Sequence, residues 1–383
     1  SLDVAFSFFA TLIAARAGAE NPDWPTSEDI DDLSDPSTWP DDPSYGEQWN
    51  LQSFIPAGAR ESVREAELAI GSGMHADRAW QKTIGDPRVV IAVLDSGIRW
   101  SNDDLVNQIA LNRGELPPPD SGCPDPVGVD AWDRDGDGAL SVRDYTNAAV
   151  GAVPLMATVC DTRLLAADQN ANGMLVGQYL IVAFEDGVDG DENGWLDDIA
   201  GWDALENDND PADDTDFGHG TGEAEDSCAE TDNGRGSAGV CPLCRALMVR
   251  AGQSFVVEVN DFAVGVIFAV ESGAAVVQEA LGSINSSTLS REAIDYAWRN
   301  NVTIVASAAD EDSFHHNFPG TNNHAMYVHA ITHNGLGHEP DGTTTTFLNF
   351  NNCTNYGAQL VLSTPGDSCS SEATGKTSGM AGL

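Results

Sequence analysis

Short apolar runs rich in β-branched residues recur along the chain, separated by stretches whose apolar positions fall three and four apart. The runs are Val89–Leu94, Arg245–Val249, Ala275–Ala280, Val302–Ala308, Met326–Ile331 and Gln359–Ser363. Near-continuous hydrophobicity of this kind suits strands buried on both faces. The helical spacing falls at 255–272 and 289–300. Strands alternating with helices predict an α/β domain built on a parallel sheet with crossover helices. Residues 20–45, rich in Asp, Pro and Ser, lack either period and are expected to form an acidic linker. The apolar start, Leu2 to Ala15, is followed by Ala-Arg-Ala-Gly-Ala. Residues 1–19 therefore read as the end of a secretory signal peptide cleaved near Ala17 or Ala19, with a plain apolar helix as the alternative. No other stretch is apolar for long enough to span a bilayer.

Composition sharpens this picture. The 383 residues are 41% hydrophobic, enough for a sizeable core. The 61 acidic residues against 17 basic ones give a formal charge of −44, which repels phosphate backbones and excludes nucleic acid as a partner. The acids concentrate at 21–43, 120–144 and 185–216, as a solvated surface or as cation sites. Seven cysteines fit an exported chain. A disulfide is expected among Cys228, Cys241 and Cys244, another between Cys353 and Cys369, and one thiol is left over. The histidines between His315 and His338 lack ligand spacing and are expected to face solvent.

The acidic stretches hold three related loops. Asp133, Asp135 and Asp137 occupy positions 1, 3 and 5 of an EF-hand-type loop. Gly138 makes its sharp turn, Ala139 offers a carbonyl, Ser141 stands at position 9 and Asp144 at position 12. Asp168, Asn170 and Asn172 repeat the start, but position 12 is Tyr179. Asp189, Asp191, Asn193, the Trp195 carbonyl and Asp197 form the third. Hard oxygen donors at this spacing point to Ca2+, with metal-free Asp-Gly turns as the alternative.

Three further motifs carry chemistry. Asp95 ends an apolar strand and precedes Ser96-Gly97, His219 stands in Gly218-His219-Gly220-Thr221, and Ser378 lies in Thr377-Ser378-Gly379-Met380-Ala381. Asp, His and Ser in this order are one arrangement that builds a nucleophilic triad. Together the motifs resemble the subtilisin-like serine proteases over about residues 45–383.

The resemblance implies a three-layer fold, a mostly parallel twisted sheet with helices on both faces, as one catalytic domain over 46–383 that stops inside the nucleophile helix. It implies an acidic calcium-binding insert at 112–216, export, and polypeptide substrates. Asp95 would orient His219, His219 would be general base and then acid, and Ser378 would be the nucleophile. Ala280, Leu281 and Gly282 would bind substrate, and Asp310 would stand at the oxyanion position. Three departures are visible. Asp310 replaces the family's Asn, Glu223 and Glu225 follow His219, and an ungapped alignment on Met380-Ala381 sets Gly379 at the nucleophile, one inserted residue restoring Ser378. The alternative is an inactive member of this fold that binds calcium, or takes a peptide along the 280–282 edge.

Overall fold

A computed structural model describes residues 24–149, 152–165, 173–255, 257–333, 346–350 and 353–383. The predicted runs become strands: β1 (Val90–Asp95), β3 (Arg245–Arg250), β4 (Val276–Glu279), β5 (Thr303–Ser307), β6 (Ala325–His333) and β8 (Leu362–Pro365). The short β2 (Trp202–Asp203) and β7 (Leu348–Phe350) complete a sheet ordered β2-β3-β1-β4-β5-β6-β7, with β8 also beside β6. All pairings are parallel except β6 with β7.

Five longer helices cover the sheet: α1 (Gly177–Phe184), α2 (His219–Cys228), α3 (Val259–Glu271), α4 (Thr288–Arg299) and α5 (Ser370–Gly382). The strand period decides which side each residue feeds. Ile91 and Val93 join a core with Ala224 and Cys228 of α2 and Ala373 of α5. Ala92 and Leu94 join a second core with Phe262 and Val266 of α3 and Ile294 of α4. This is the expected mostly parallel sheet with helices on both faces.

Two expectations change. From Trp24 onward the supposed linker is packed against the domain. Trp24 and Tyr45 are buried with Trp80 in a small aromatic core, with 5.7 Å between the Trp24 and Trp80 ring centroids. Scattered single aromatics supply the apolar area, which no periodicity reveals.

The second change is α5. The stretch Thr377 to Ala381, expected to carry the nucleophile, lies well inside a helix that starts at Ser370. Its hydroxyls are satisfied internally: Thr374 Oγ1 donates to the Ser370 carbonyl at 2.8 Å, Thr377 Oγ1 to Ala373 at 2.7 Å, and Ser378 Oγ to Thr374 at 2.8 Å. Such bonds let a polar helix be buried. Gly379 is where α5 crosses α2. A Cβ there would lie 2.6 Å from Val240 Cβ and 3.0 Å from the Ser227 carbonyl oxygen.

The disulfides join Cys123 to Cys160, Cys241 to Cys244, and Cys353 to Cys369. Cys228 is the buried thiol left over among the described residues. The first pair was not foreseen, because 37 residues separate its members. The apolar start, the loop residues Asp168, Asn170 and Asn172, and His338 lie outside the described residues.

Candidate active site

The carboxyl end of β1 delivers Asp95, and the next turn carries Ser96 and Gly97. Open α/β sheets place their sites at such strand ends. Asp95 is fully buried, and its Oδ1 accepts from the Ser96 N–H at 2.7 Å and from His219 Nδ1 at 2.8 Å. His219 is the first residue of α2, entered through Gly218 in the left-handed region. Gly220 lets the helix approach this closely, since a Cβ there would sit 2.5 Å from the Gly97 carbonyl oxygen. The Gly220 N–H donates to Ser96 Oγ at 3.0 Å, so the turn after β1 also anchors the start of α2.

The other ring nitrogen finds a different serine from the one expected. His219 Nε2 lies 3.1 Å from Ser371 Oγ, in the first turn of α5. Ser378 is two turns further along, fully buried and bonded within its own helix. Gly379 is occupied by helix packing. The hydroxyl at His219 Nε2 is therefore that of Ser371, and Ser378 is bonded elsewhere. The available signal was Ser370-Ser371-Glu372-Ala373, with a serine two before an alanine at a helix start. Met380-Ala381, further along the chain, offers a competing small-residue pattern.

Burial opposes charge on His219. The Asp95 hydrogen bond and charge, with the charges of Glu223 and Asp310, outweigh burial and lift its pKa to about 9. Of the two acids that follow His219, Glu223 acts on it, while Glu225 accepts from Asn102 Nδ2 at 2.8 Å. Glu223 is itself fully desolvated, which pushes its carboxyl well above the usual range, and Gln278 Nε2 donates to it at 3.1 Å.

Asp310 lies close by, but as an acceptor. Its Oδ1 takes the Ser370 N–H at 2.9 Å and the Ser370 hydroxyl at 2.5 Å, holding the entry to α5. Ala280, Leu281 and Gly282 line a cavity of about 460 Å³ together with Phe255, Glu311 and Ser371. Gly282 is already paired, its N–H donating to the Phe255 carbonyl and its carbonyl accepting from the Val257 N–H, both at 3.1 Å. That part of the edge is therefore occupied, which weakens it as a place for strand addition.

The cation loops are only partly as expected. The Asp133, Asp135 and Asp137 carboxylates converge within 4.8 Å. Asp144 instead accepts the Ser141 and Arg134 N–H groups at 2.8 and 2.6 Å, and Ser141 Oγ accepts from the Arg143 N–H. Arg143 and Arg245 reach Asp135 and Asp137 at 2.7 and 2.9 Å. In the third loop Asp191 joins Glu115 and Asp198, neither of them foreseen. Asn193 donates to Asp191 and Asp198, whereas Asp189 accepts from its own loop's amides and Asp197 from the Asp186 and Gly187 N–H groups. Trp195 meets this loop through its N–H, which donates to Asn193 Oδ1 at 2.7 Å. Burial lifts the Asp198 pKa to about 7. Both triplets offer only hard oxygen donors and fit a divalent cation such as calcium.

The subtilase family model matches residues 86–382. A thermophilic serine proteinase of Bacillus sp. (strain AK1) is 38% identical over 116 residues, covering 30% of this chain and 28% of that protein. Thermitase of Thermoactinomyces vulgaris is 30% identical over 140 residues, 36% of this chain and 48% of that protein. The match thus spans less than half the length of either relative. Proteases from Pseudoalteromonas arctica superimpose with a TM-score of 0.47 at 20% identity, covering 90% of this chain and 86% of theirs.

Proposed function

The chain belongs to the subtilase family, and on that premise we propose that it is an exported serine endopeptidase whose nucleophile is Ser371. One observation carries the reading: a single imidazole bonded to a buried carboxylate on one side and to a hydroxyl at a helix start on the other. With Nδ1–H held by Asp95, Nε2 is free to take the Ser371 proton. Ser371 Oγ then bonds to the substrate carbonyl carbon, and charge develops on the carbonyl oxygen. As the C–N bond breaks, His219 returns the proton to the departing amine. Water repeats the steps in reverse to release the acid. The Ser371 N–H at the first turn of α5 supports the developing oxyanion. Asp310 brings acceptor oxygens, engaged by Ser370, where an amide donor would support the oxyanion.

Calcium would be a structural ion, with Asp133, Asp135 and Asp137, and Glu115, Asp191 and Asp198, as the residues to hold it. It would neutralise carboxylates that otherwise repel one another. Three disulfides and the acidic surface support export. No described helix is long and apolar enough to cross a membrane.

A second reading, a non-hydrolysing peptide-binding subtilase, is favoured by Asp310 alone. Incubation with an unfolded polypeptide at pH 9 separates the two. Cleavage by the native chain and none by Ser371→Ala supports the enzyme. Equal fragment yield from both, or none from either, removes it.

A further inference from the structure

The cavity beside Ser371 lies where the side chain of the attacked residue, P1, would enter. It is about 460 Å³, within the range of sites that enclose a long side chain. Its lining includes the apolar Phe255, Leu281 and Ile284 and the small Ala280, Gly282 and Ala309. Its remaining lining is Ser283, Ser307, Asn317 and two acids, Asp310 and Glu311, with no Lys, Arg or His among the described residues. Asp310 is engaged by Ser370, as described. Glu311 is held by amides: Asn317 Nδ2 lies 3.4 Å from each carboxylate oxygen, and Asn355 Nδ2 donates to Oε2. Amides orient a carboxylate without cancelling its charge, and among the described residues no ion pair to Glu311 does so.

We propose that this cavity selects a basic P1 side chain, lysine or arginine, with Glu311 as its counter-charge. The proposal rests on reading Ser371 as the centre of the site, but not on Ser371 being reactive. An aliphatic stem suits the apolar part of the lining, and a terminal cation suits the two acids. A purely apolar P1 chain would strip water from the exposed Glu311 carboxylate and return no partner. An acidic one would meet like charge. A chain carrying −44 also draws cationic segments toward it over longer range.

The test uses peptides identical except at P1 (Lys, Arg, Leu, Phe, Glu), bound to the full chain carrying Ser371→Ala, so that binding is read without cleavage. Affinity for Lys and Arg is expected to exceed that for Leu by about tenfold in low salt, and to fall as salt screens the pair. Glu311→Gln should collapse the Lys-to-Leu ratio. Equal or stronger binding of Leu or Phe, or a ratio unchanged by Glu311→Gln, overturns the proposal. The parallel cleavage assay on the native chain reports on the enzyme reading separately. Selective binding without cleavage leaves the selectivity standing and removes the enzyme. Cleavage without basic preference does the converse.

Discussion

At the scale of single residues, Asp95 and His219 were legible because each sits in a short motif whose glycines are needed for close approach. Ser371 was not, because its flanks, Cys369-Ser370 and Glu372, depart from the small apolar pattern that marks such a serine. The structure recovers it by distance alone, 3.1 Å from His219 Nε2. Two predictions belong here. Because the His219 pKa is raised to about 9, the imidazole is protonated at neutral pH and cannot accept a proton. Activity should therefore climb about tenfold per unit of pH toward 9 and then level off, read from initial rates between pH 6 and 10; a plateau already at pH 7 would contradict this. Asp310→Asn replaces an acceptor with an amide donor and removes a negative neighbour of His219. It should raise kcat by about 10- to 100-fold and move the rising limb to lower pH, whereas a loss of rate would contradict this.

At the scale of elements, the strands were legible because burial on both faces leaves unbroken apolar runs. Their ends and neighbours follow from tertiary pairing, which is why β2 and β7, only two and three residues long, left no mark. Helix α5 was misread because Gly and Thr are poor helix formers, and only its burial against α2 makes the helix worthwhile. Gly379→Val should destabilise the fold by about 1–3 kcal/mol through overpacking, whereas Ser378→Ala should cost about 1 kcal/mol or less and leave hydrolysis intact; urea titrations of the two variants give the ranking. Buried Glu279, at the end of β4, is a second element-level feature. Neither of its oxygens makes a well-formed hydrogen bond among the described residues, and desolvation pushes its pKa well above normal. Its unfolded state ionises first, so the cost is absent below about pH 4 and grows as pH rises from there. Glu279→Met should thus raise the melting temperature at pH 8 and change it little at pH 4; the same gain at both would refute the assignment.

At the scale of the molecule, charge dominates. The −44 net charge was plain in the composition, and so was its concentration in loops. Which acids meet was not, because Glu115 reaches Asp191 and Asp198 from a segment about 75 residues earlier. Spacing rules see only one loop at a time. If the two triplets hold calcium, a chelator should lower the melting temperature, and readdition of calcium should restore it in proportion to the logarithm of its concentration. No change on chelation would leave the loops as metal-free turns.

The central claim is the identity of the nucleophile. The most direct measurement is reaction of the full chain with a fluorophosphonate at pH 9, followed by mapping of the adduct by peptide mass spectrometry. The account predicts a single adduct on Ser371 that vanishes in His219→Ala and persists in Ser378→Ala. An adduct on Ser378, or none on Ser371, would contradict it.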